Sequence, residues 1–358
     1  MDTLFQPYRL NGTLTLANRF MMAPLTRCMA GPGLVPTAQM AAYYGRRADI
    51  GLIISEATII RPDGQGYPNT PGIYSPEQIA GWKQVTEAVH AKGGKIFAQL
   101  WHVGRLSHPF FHHAEVLAPS AVAHEGTVPR MRELVYQVPR ALTVAEIGQL
   151  VEDYAQAAAN AIEAGFDGVE IHGANGYLLE QFLKDGANLR TDGYGGSIEN
   201  RARLLLEVTA AVAKEIGADR TGVRISPVSP ANGISCSDPQ PQYDYLVERL
   251  SALGVVYLHV IEGETGGTRT PEGKPFDYEA LHRACKGAWM VNNGYSRDLA
   301  LQTVADGKAD LIAFGRSFIS TPDLVRRLRE GAALNELRAD KLYGGGAEGY
   351  TDYPTLAN

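Results

Sequence analysis

The chain has 358 residues, of which 45% are hydrophobic and 20% are charged. This is the composition of an ordinary globular protein. The net charge of −6 and the isoelectric point near 5.9 argue against nucleic acid or an anionic membrane as a partner, because both attract basic surfaces. The length fits either two domains or one α/β barrel with insertions.

The N-terminal sequence, the apolar runs and the cysteine spacing indicate in which cell compartment the protein is expected. The first ten residues, MDTLFQPYRL, lack the basic start and apolar centre of a signal peptide. No apolar run reaches the roughly 18 residues that a membrane helix needs. Three cysteines, Cys28, Cys236 and Cys285, show neither C-x-x-C nor zinc-site spacing. We therefore predict reduced thiols in a cytoplasmic protein that does not span a membrane.

The first predicted element is a β-hairpin over residues 8–19, where Asn11-Gly12 separates two short alternating runs. The chain then alternates short, β-rich apolar runs with helix-like stretches. The apolar runs lie at 20–26, 51–57, 95–101, 168–173, 221–226, 255–262, 289–294 and 311–317. Helical stretches at 75–93, 143–165 and 197–217 each begin with a Ser or Thr that can cap the helix and end at a Gly.

Eight buried-type strands alternating with helices predict a fold of the α/β class, a (β/α)8 TIM barrel forming a single domain over residues 1–358. The N-terminal hairpin precedes the barrel, and residues 102–142 form an enlarged loop after strand 3, on the active-site face. A doubly wound sheet is the alternative, but it would show a glycine-rich turn after the first strand. Here Thr26-Arg27-Cys28-Met29 follows that strand.

Polar residues recur at the predicted C-terminal ends of the strands, which is where barrel enzymes build their sites. The residues in these positions are Thr26, Gln99, Trp101, His172, Arg224, Asn292, Asn293, Gly315 and Arg316. A single polar residue at a strand end is usually a loop residue whose hydrogen bonds are made within the protein. Because six strands end this way, the pattern predicts a common pocket.

The last two strand ends, NNGYS (292–296) and FGRS (314–317), each place a Gly just before a helix-like run. In this fold the loops after strands 7 and 8 commonly bind phosphate. Arg316 adds a guanidinium that matches phosphate oxygens. These two turns therefore predict a phosphate site.

Arg224 lies inside an apolar strand, TGVRIS, and a buried arginine needs an anionic or acceptor partner. Two readings remain open for that partner. It is either a structural carboxylate, for which Glu56 and Glu170 are candidates, or a ligand that gains negative charge during turnover.

Several of these motifs together resemble a known family. The motifs on which the resemblance is based are IHGANGYLLEQFL (171–183), NLRTDGYGGSIENRARLLLEV (188–208), FMMAPLTR (20–27), FAQLWHVGR (97–105) and YGGGAEGYTDYP (343–354). They are similar to the old yellow enzyme family of FMN-dependent ene-reductases, and most similar to the bacterial branch of N-ethylmaleimide reductase and pentaerythritol tetranitrate reductase. The resemblance implies an FMN-binding barrel, in agreement with the independent strand count.

The resemblance also implies how FMN is held. The Thr26 hydroxyl would meet the flavin O4 and N5 edge, and Arg224 would lie beside its N1 and O2 end. Arg316 and the turns before it would hold the phosphate. The cofactor-binding set is Ala23, Pro24, Leu25, Thr26, Ala57, Gln99, His172, Arg224, Asn293, Gly294, Gly315 and Arg316.

The catalytic set implied by the resemblance is His172, Asn175, Tyr177 and Thr26. NADPH or NADH would reduce the flavin, which then passes hydride from N5 to the β-carbon of an α,β-unsaturated carbonyl or nitro compound. His172 and Asn175 would donate hydrogen bonds to the substrate oxygen, in the manner of an oxyanion hole. Tyr177 would protonate the α-carbon.

The implied substrate-binding set is Tyr67, Trp101, His172, Asn175, Tyr177 and Tyr343. The expected ligands are electron-poor alkenes, nitro compounds and phenols, and the expected assembly is a monomer or a homodimer. Residues 226–243 differ from the usual family sequence, in a region that tends to shape the substrate pocket. Arg269, after the glycine-rich stretch 263–268, is a candidate for the phosphates of NADPH.

Two other functional classes remain as alternatives. A flavin-free phosphate-binding barrel, an aldolase or isomerase, would need a Lys or Glu at a strand end as Schiff-base amine or general base. A non-catalytic ligand-binding barrel would not need the aligned polar strand ends. The histidines of SHPFFHH (107–113) are predicted to be loop residues and not metal ligands, because Pro109 opposes a regular helix through them.

Overall fold

The computed structural model describes residues 3–271 and 275–357. It begins with an antiparallel hairpin of β1 (Tyr8–Arg9) and β2 (Thr15–Leu16). The Asn11 side-chain oxygen accepts hydrogen bonds from the backbone N–H groups of Thr13 and Leu14, at 2.8 and 2.6 Å, and so fixes the turn. The predicted hairpin is therefore confirmed. Its leucines pack with apolar residues from the first three and the last three barrel strands, so the hairpin covers one end of the barrel.

The strands after the hairpin are β3 (Phe20–Met22), β4 (Leu52–Ile59), β5 (Ile96–Trp101), β6 (Leu117–Ala118), β7 (Arg140–Ala141), β8 (Gly168–Gly173), β9 (Thr221–Ile225), β10 (Tyr257–Ile261), β11 (Ala288–Asn292) and β12 (Leu311–Phe314). Eight of them run parallel and close into a barrel in the order β10-β11-β12-β3-β4-β5-β8-β9. β6 and β7 pair outside the barrel. The TIM-barrel prediction is confirmed, and every barrel strand overlaps its predicted apolar run.

Helices surround the barrel, and the longer ones bury their apolar faces against it. In chain order they are α1 (Ala38–Gly45), α2 (Pro76–His90), α3 (Pro109–His112), α4 (Val144–Glu163), α5 (Leu178–Leu183), α6 (Ile198–Ile216), α7 (Pro239–Ala252), α8 (Tyr278–Ala284), α9 (Arg297–Ala305), α10 (Arg316–Ser320) and α11 (Leu324–Glu330). Ser75, Thr143 and Ser197 cap α2, α4 and α6 as predicted. The caps of α2 and α4 are complete capping boxes, each of which typically stabilises a helix by about 1 kcal/mol.

The segment 102–142 is the enlarged loop predicted after the third barrel strand. It holds α3 together with the β6–β7 pair. Pro109 starts α3, and His108 caps that helix from outside it, so His108 and His112 do not share a regular helical face. His112 Nε2 lies 2.9 Å from the Ser107 hydroxyl. These contacts show capping and loop histidines, as the sequence predicted.

Three further observations describe the molecule as a whole. Within residues 3–271 and 275–357, no helix combines the length and the apolar character needed to cross a bilayer. No group of three or more His, Cys, Asp or Glu side chains in this part of the chain is arranged to hold a metal ion. Cys28, Cys236 and Cys285 are all free thiols, in agreement with the prediction.

Candidate active site

A cavity of about 320 Å3 lies at the C-terminal ends of the barrel strands. Two of its lining residues, Arg224 and Arg316, carry guanidinium groups, and no carboxylate is among the described residues that line it. A cavity with this charge favours an anionic ligand. The predicted site residues that line it are Ala23, Pro24, Leu25, Asn175, Arg224, Asn293, Gly294, Gly315 and Arg316.

The turn after β11 has a strained backbone. Asn293 has φ 116° and Gly294 has φ 67°. The Asn293 side chain holds this turn by donating to the carbonyl oxygens of Glu262 and Glu264, at 2.7 and 2.9 Å. Within the described chain, the backbone N–H groups of Asn293 and Gly294 have no protein acceptor. Two backbone donors among the described residues are therefore free at the cavity.

The turn after β12 completes this side of the cavity. α10 begins at Arg316, directly after Gly315. Arg316 is exposed, and its Nη2 donates to the Gly266 carbonyl oxygen at 3.2 Å. The remaining guanidinium N–H groups of Arg316 have no acceptor in the described part of the chain, so they are available to a ligand. The two turns therefore lie together at the cavity, and the phosphate site predicted there stays a prediction.

Arg224 extends from β9 into the cavity and is 6% exposed. Its Nη2 donates to the Asn292 side-chain oxygen at 2.8 Å, whereas its buried Nε has no partner among the described residues. Neither Glu56 nor Glu170 forms a direct ion pair with Arg224 in that part of the chain. The prediction that one of these carboxylates contacts Arg224 is therefore wrong. Glu170 still acts on Arg224 through its charge.

Glu170, on β8, is the centre of a buried network beneath the cavity. Its carboxylate accepts hydrogen bonds from Gln99 Nε2 at 2.8 Å, His259 Nδ1 at 2.8 Å and the Tyr257 hydroxyl at 3.2 Å. Burial opposes ionisation, but His259, Arg224 and Gln99 outweigh it and lower the pKa of Glu170. No described residue donates to the side-chain oxygen of Gln99, so this oxygen is available for a ligand.

His172 lies at the end of β8 and is 4% exposed. Burial lowers its pKa well below the usual value, and the nearby charge of Arg224 adds to this effect. Its Nδ1 accepts from the backbone N–H of Ala174 at 3.3 Å. His172 is therefore neutral near pH 7 with its proton on Nε2, where it serves as a donor.

Asn175 follows in a left-handed backbone conformation, φ 58°, which asparagine tolerates better than most residues. Its backbone N–H donates to the Ser226 hydroxyl at 2.9 Å, and its backbone oxygen accepts from Asn232 Nδ2 at 2.8 Å. Its side-chain oxygen accepts from the Thr265 hydroxyl at 2.7 Å. The Asn175 Nδ2 group has no acceptor among the described residues, so it is a second free donor.

Tyr177 is at the N-terminus of α5 and packs edge-to-face on His172 and on Trp101, with ring centroids 5.0 Å away in both cases. Its hydroxyl lies 3.0 Å from the Tyr67 hydroxyl. Burial raises the pKa of Tyr177, and the hydrogen bond from Tyr67 moderates the shift. The phenol is thus protonated at neutral pH. Tyr67 also stacks on Trp101 at 5.6 Å.

The remaining predicted residues flank this group. Thr26 is half-buried, and Ala57 pairs with Gln99 across β4 and β5. Tyr343 is 42% exposed, and Arg130 lies over its ring at 5.4 Å. Arg27, next to Thr26, donates to the carbonyl oxygens of residues 341, 342 and 349, and so ties the C-terminal segment to the first strand end.

Comparison with known proteins identifies the family. Residues 3–335 match the model of the NADH:flavin oxidoreductase / NADH oxidase family. 12-Oxophytodienoate reductase 7 from Oryza sativa subsp. japonica is 46% identical over 375 residues, covering 99% of this chain and 94% of the relative.

Solved structures agree with this match. The old yellow enzyme homologue from Zymomonas mobilis superimposes with a TM-score of 0.95 at 43% identity, covering 99% of this chain and 100% of the other. Morphinone reductase in complex with tetrahydroNAD gives a TM-score of 0.93 at 47% identity, covering 99% and 98% of the two chains. The chain belongs to the old yellow enzyme family. The family resemblance seen in the motifs is thereby confirmed, while the finer placement beside N-ethylmaleimide reductase stays a prediction.

The residues present fit the FMN that an old yellow enzyme uses. Arg224 offers a buried, unpartnered Nε, and Gln99 offers an unused oxygen. A Cβ built on Gly294 would meet no atom within 4 Å, and one on Gly315 would come no closer than 3.5 Å to Leu25, so both turns leave room for a ligand. Free backbone donors and the Arg316 guanidinium suit a phosphate.

The sequence did not identify every lining residue of this old yellow enzyme site. Thr265, Tyr295 and Ser317 also line the cavity. The glycine-rich run 263–268 was the available signal for Thr265, but it did not reveal the contact with Asn175. Arg269 pairs with Glu262 at 3.7 Å and lies 5.0 Å from the ring centroid of Tyr295. Its assignment to NADPH stays a prediction.

Glu56, on β4 next to the predicted flavin contact Ala57, gives this enzyme a testable pH dependence. Burial raises the pKa of Glu56 to about 7, whereas an unfolded chain has about 4.3. The folded protein holds this proton more tightly, so the contribution to stability is complete below about pH 4.3 and is lost as the pH rises through about 7. Over that window we expect a loss on the order of 3 kcal/mol.

Glu56→Gln should remove this pH dependence, because glutamine does not titrate. Urea unfolding of wild type and variant between pH 4.5 and 8 would measure it, since the contributions of other groups cancel in the difference. The exposed Glu87→Gln is the matched control and should keep the wild-type slope. Equal slopes in Glu56→Gln and wild type would show that Glu56 titrates normally.

Proposed function

We propose that this old yellow enzyme reduces the activated C=C bond of α,β-unsaturated carbonyl or nitro compounds, using FMN with NADPH or NADH as electron source. The observation that carries the proposal is a pair of neutral donors, His172 Nε2 and Asn175 Nδ2, followed by the phenol of Tyr177. These groups lie beside a cavity lined by cationic side chains. The family membership and the likeness to a tetrahydroNAD complex of morphinone reductase support nicotinamide as the reductant.

The proposed FMN contacts divide into three groups. Ala23, Pro24, Leu25 and Thr26, with Ala57, would face the ring system. Gln99 and Arg224 would meet its polar edge, and Asn293, Gly294, Gly315 and Arg316 would hold the phosphate. When bound, FMN supplies the hydride that it has taken from the nicotinamide, and the protein supplies binding and electrostatics.

His172 and Asn175 would stabilise the negative charge that develops on the substrate oxygen during reduction. Both are uncharged donors, so neither adds a titration near neutral pH. Each donor of this kind supplies roughly 3 kcal/mol of transition-state stabilisation when it is fixed in place beforehand. The buried Nδ1 contact of His172 and the side-chain contact of Asn175 provide that fixation.

Tyr177 would deliver the proton to the α-carbon. Because its pKa is raised, the phenol keeps its proton until a strongly basic carbon forms beside it. The Tyr67 hydroxyl, 3.0 Å away, would hold the Tyr177 hydroxyl in place and donate to it once the proton has left.

The substrate side is aromatic, with Tyr67, Trp101 and Tyr343 around Tyr177. Such walls suit flat, electron-poor alkenes, nitro compounds and phenols. We also propose that residues 1–358 act as one FMN-binding domain, as a monomer or homodimer, in the cytoplasm.

The test is turnover by FMN-loaded protein. We expect a yellow protein with absorption near 450 nm that, under anaerobic conditions, oxidises NADPH or NADH beyond the amount needed to reduce its own flavin only when 2-cyclohexenone or N-ethylmaleimide is present. Omission of the alkene is the control. A colourless protein that does not take up FMN would instead favour the aldolase or isomerase alternative. For that reading, the buried strand carboxylates Glu56 and Glu170 would be the remaining candidate bases.

A further inference from the structure

The loop of residues 263–268, which follows β10, reaches the end of β8 through one side chain. The Thr265 hydroxyl lies 2.7 Å from the Asn175 side-chain oxygen and 2.8 Å from the Ser229 hydroxyl. The three side chains therefore form a continuous hydrogen-bonded chain. Ser229 is 1% exposed, and its backbone oxygen accepts from the buried Lys184 ammonium at 3.1 Å, so the inner end of the chain is firmly held.

The directions of these hydrogen bonds are set by the backbone. The Ser229 hydroxyl oxygen accepts from the backbone N–H groups of Thr265 and Ala231, at 3.0 and 3.4 Å. A hydroxyl has two lone pairs and one proton. Because both lone pairs are occupied, Ser229 must donate its proton to the Thr265 hydroxyl. Thr265 then has its own proton left to donate to Asn175.

This order decides how the Asn175 amide is oriented. The amide could in principle present either its oxygen or its nitrogen to Thr265. Since the Thr265 hydroxyl donates its proton, the atom of the Asn175 amide that faces it must be the oxygen, which accepts. The Nδ2 group then points to the other side and has no acceptor in the described part of the chain.

We propose that Ser229 and Thr265 are positioning residues that lock the Asn175 amide with its N–H groups toward the substrate. With its N–H groups facing the substrate, the Asn175 amide would favour ligands that present an oxygen acceptor over ligands that present a hydrogen-bond donor. This inference rests on the proposed function, because it concerns the substrate oxygen that Asn175 binds.

The structure separates this role from a general role in holding the turn. The Asn175 backbone is fixed by Ser226 and Asn232, at 2.9 and 2.8 Å, and neither contact involves Thr265. Removal of the Thr265 hydroxyl should therefore free the Asn175 side chain and leave its backbone in place.

The experiment uses FMN-loaded enzyme and 4-hydroxybenzaldehyde, a phenol that carries an oxygen acceptor, with its Kd read from the change in flavin absorbance. Thr265→Val should weaken binding about threefold to tenfold, the effect of losing one hydrogen bond. Thr265→Ser should restore the wild-type Kd. The matched control is Thr268→Val, which removes a hydroxyl from the same loop; among the described residues, that hydroxyl bonds only to the Thr270 backbone N–H. It should stay within twofold of wild type.

A double-mutant cycle with Asn175→Ala is the decisive readout. Thr265→Val should have no further effect on the Kd once the Asn175 amide is gone. An equal loss in both backgrounds, or no loss in wild type, would overturn the proposal. If Thr265→Val does not fold, Ser229→Ala tests the same chain, and its severalfold loss should also vanish in the Asn175→Ala background.

Failure of the proposed function would look different. Wild type would then bind neither FMN nor the phenol, or would not reduce 2-cyclohexenone, and the positioning proposal would fall with it. If the wild-type enzyme passes those tests but Thr265→Val binds the phenol with the wild-type Kd, only the positioning proposal is contradicted.

Discussion

The rate at which reduced, FMN-loaded enzyme reacts with 2-cyclohexenone should fall about a thousandfold or more when His172 and Asn175 are both replaced by alanine. One oxyanion-hole donor typically contributes about 10²- to 10³-fold to such a rate. Both donors are neutral, and each is held by a hydrogen bond to a neighbouring group, so they need little reorganisation as charge develops. Either single variant should lose about a hundredfold.

The measurement is a single turnover, in which dithionite-reduced enzyme is mixed anaerobically with the enone. This design excludes the nicotinamide step. The Kd for phenols should rise more than the Kd for FMN, because both side chains are assigned chiefly to the substrate. His108→Ala, which removes a helix-capping histidine of the enlarged loop, should change the rate less than twofold. Equal losses of phenol and FMN binding in the double variant would contradict the assigned roles.

The barrel and most of the strand-end residues were predictable because their signals are local. Each strand appears as a short apolar run between turn residues, and parallel barrel strands all end at one face. Arg224 and Asn293 could therefore be placed at one cavity from their positions in separate runs. The same logic located the hairpin through Asn11 and the helix starts through their Ser and Thr caps.

The contacts that orient the site were not predictable, because they join residues far apart in sequence. Glu170 meets His259 across 89 residues, and Asn175 meets Thr265 across 90. No run of residues marks such a pair, since any buried carboxylate or amide accepts many partners. Arg224 shows the difference clearly. Its burial was evident from the sequence, but the neutral Asn292 was not singled out as its partner.

Replacement of Arg224 by methionine should lower the midpoint potential of the bound FMN by roughly 40 to 90 mV. The guanidinium is a fixed positive charge at the cavity, and it favours the extra negative charge that reduction brings. At an effective dielectric constant near 20, removing such a charge at about 4 Å costs roughly 2 to 4 kcal/mol. For a two-electron couple this energy corresponds to the stated shift.

Arg224→Lys is the matched variant, because it keeps the charge while losing the guanidinium hydrogen bond to Asn292. Its potential should stay closer to wild type than to Arg224→Met, although its FMN affinity should fall. Dye-coupled reductive titration gives the potentials, and fluorescence quenching gives the FMN affinities. If Lys and Met lowered the potential equally, the hydrogen-bond geometry of Arg224 would be what sets it. If both matched wild type, the charge of Arg224 would have no influence on the flavin, and its burial would serve only the barrel.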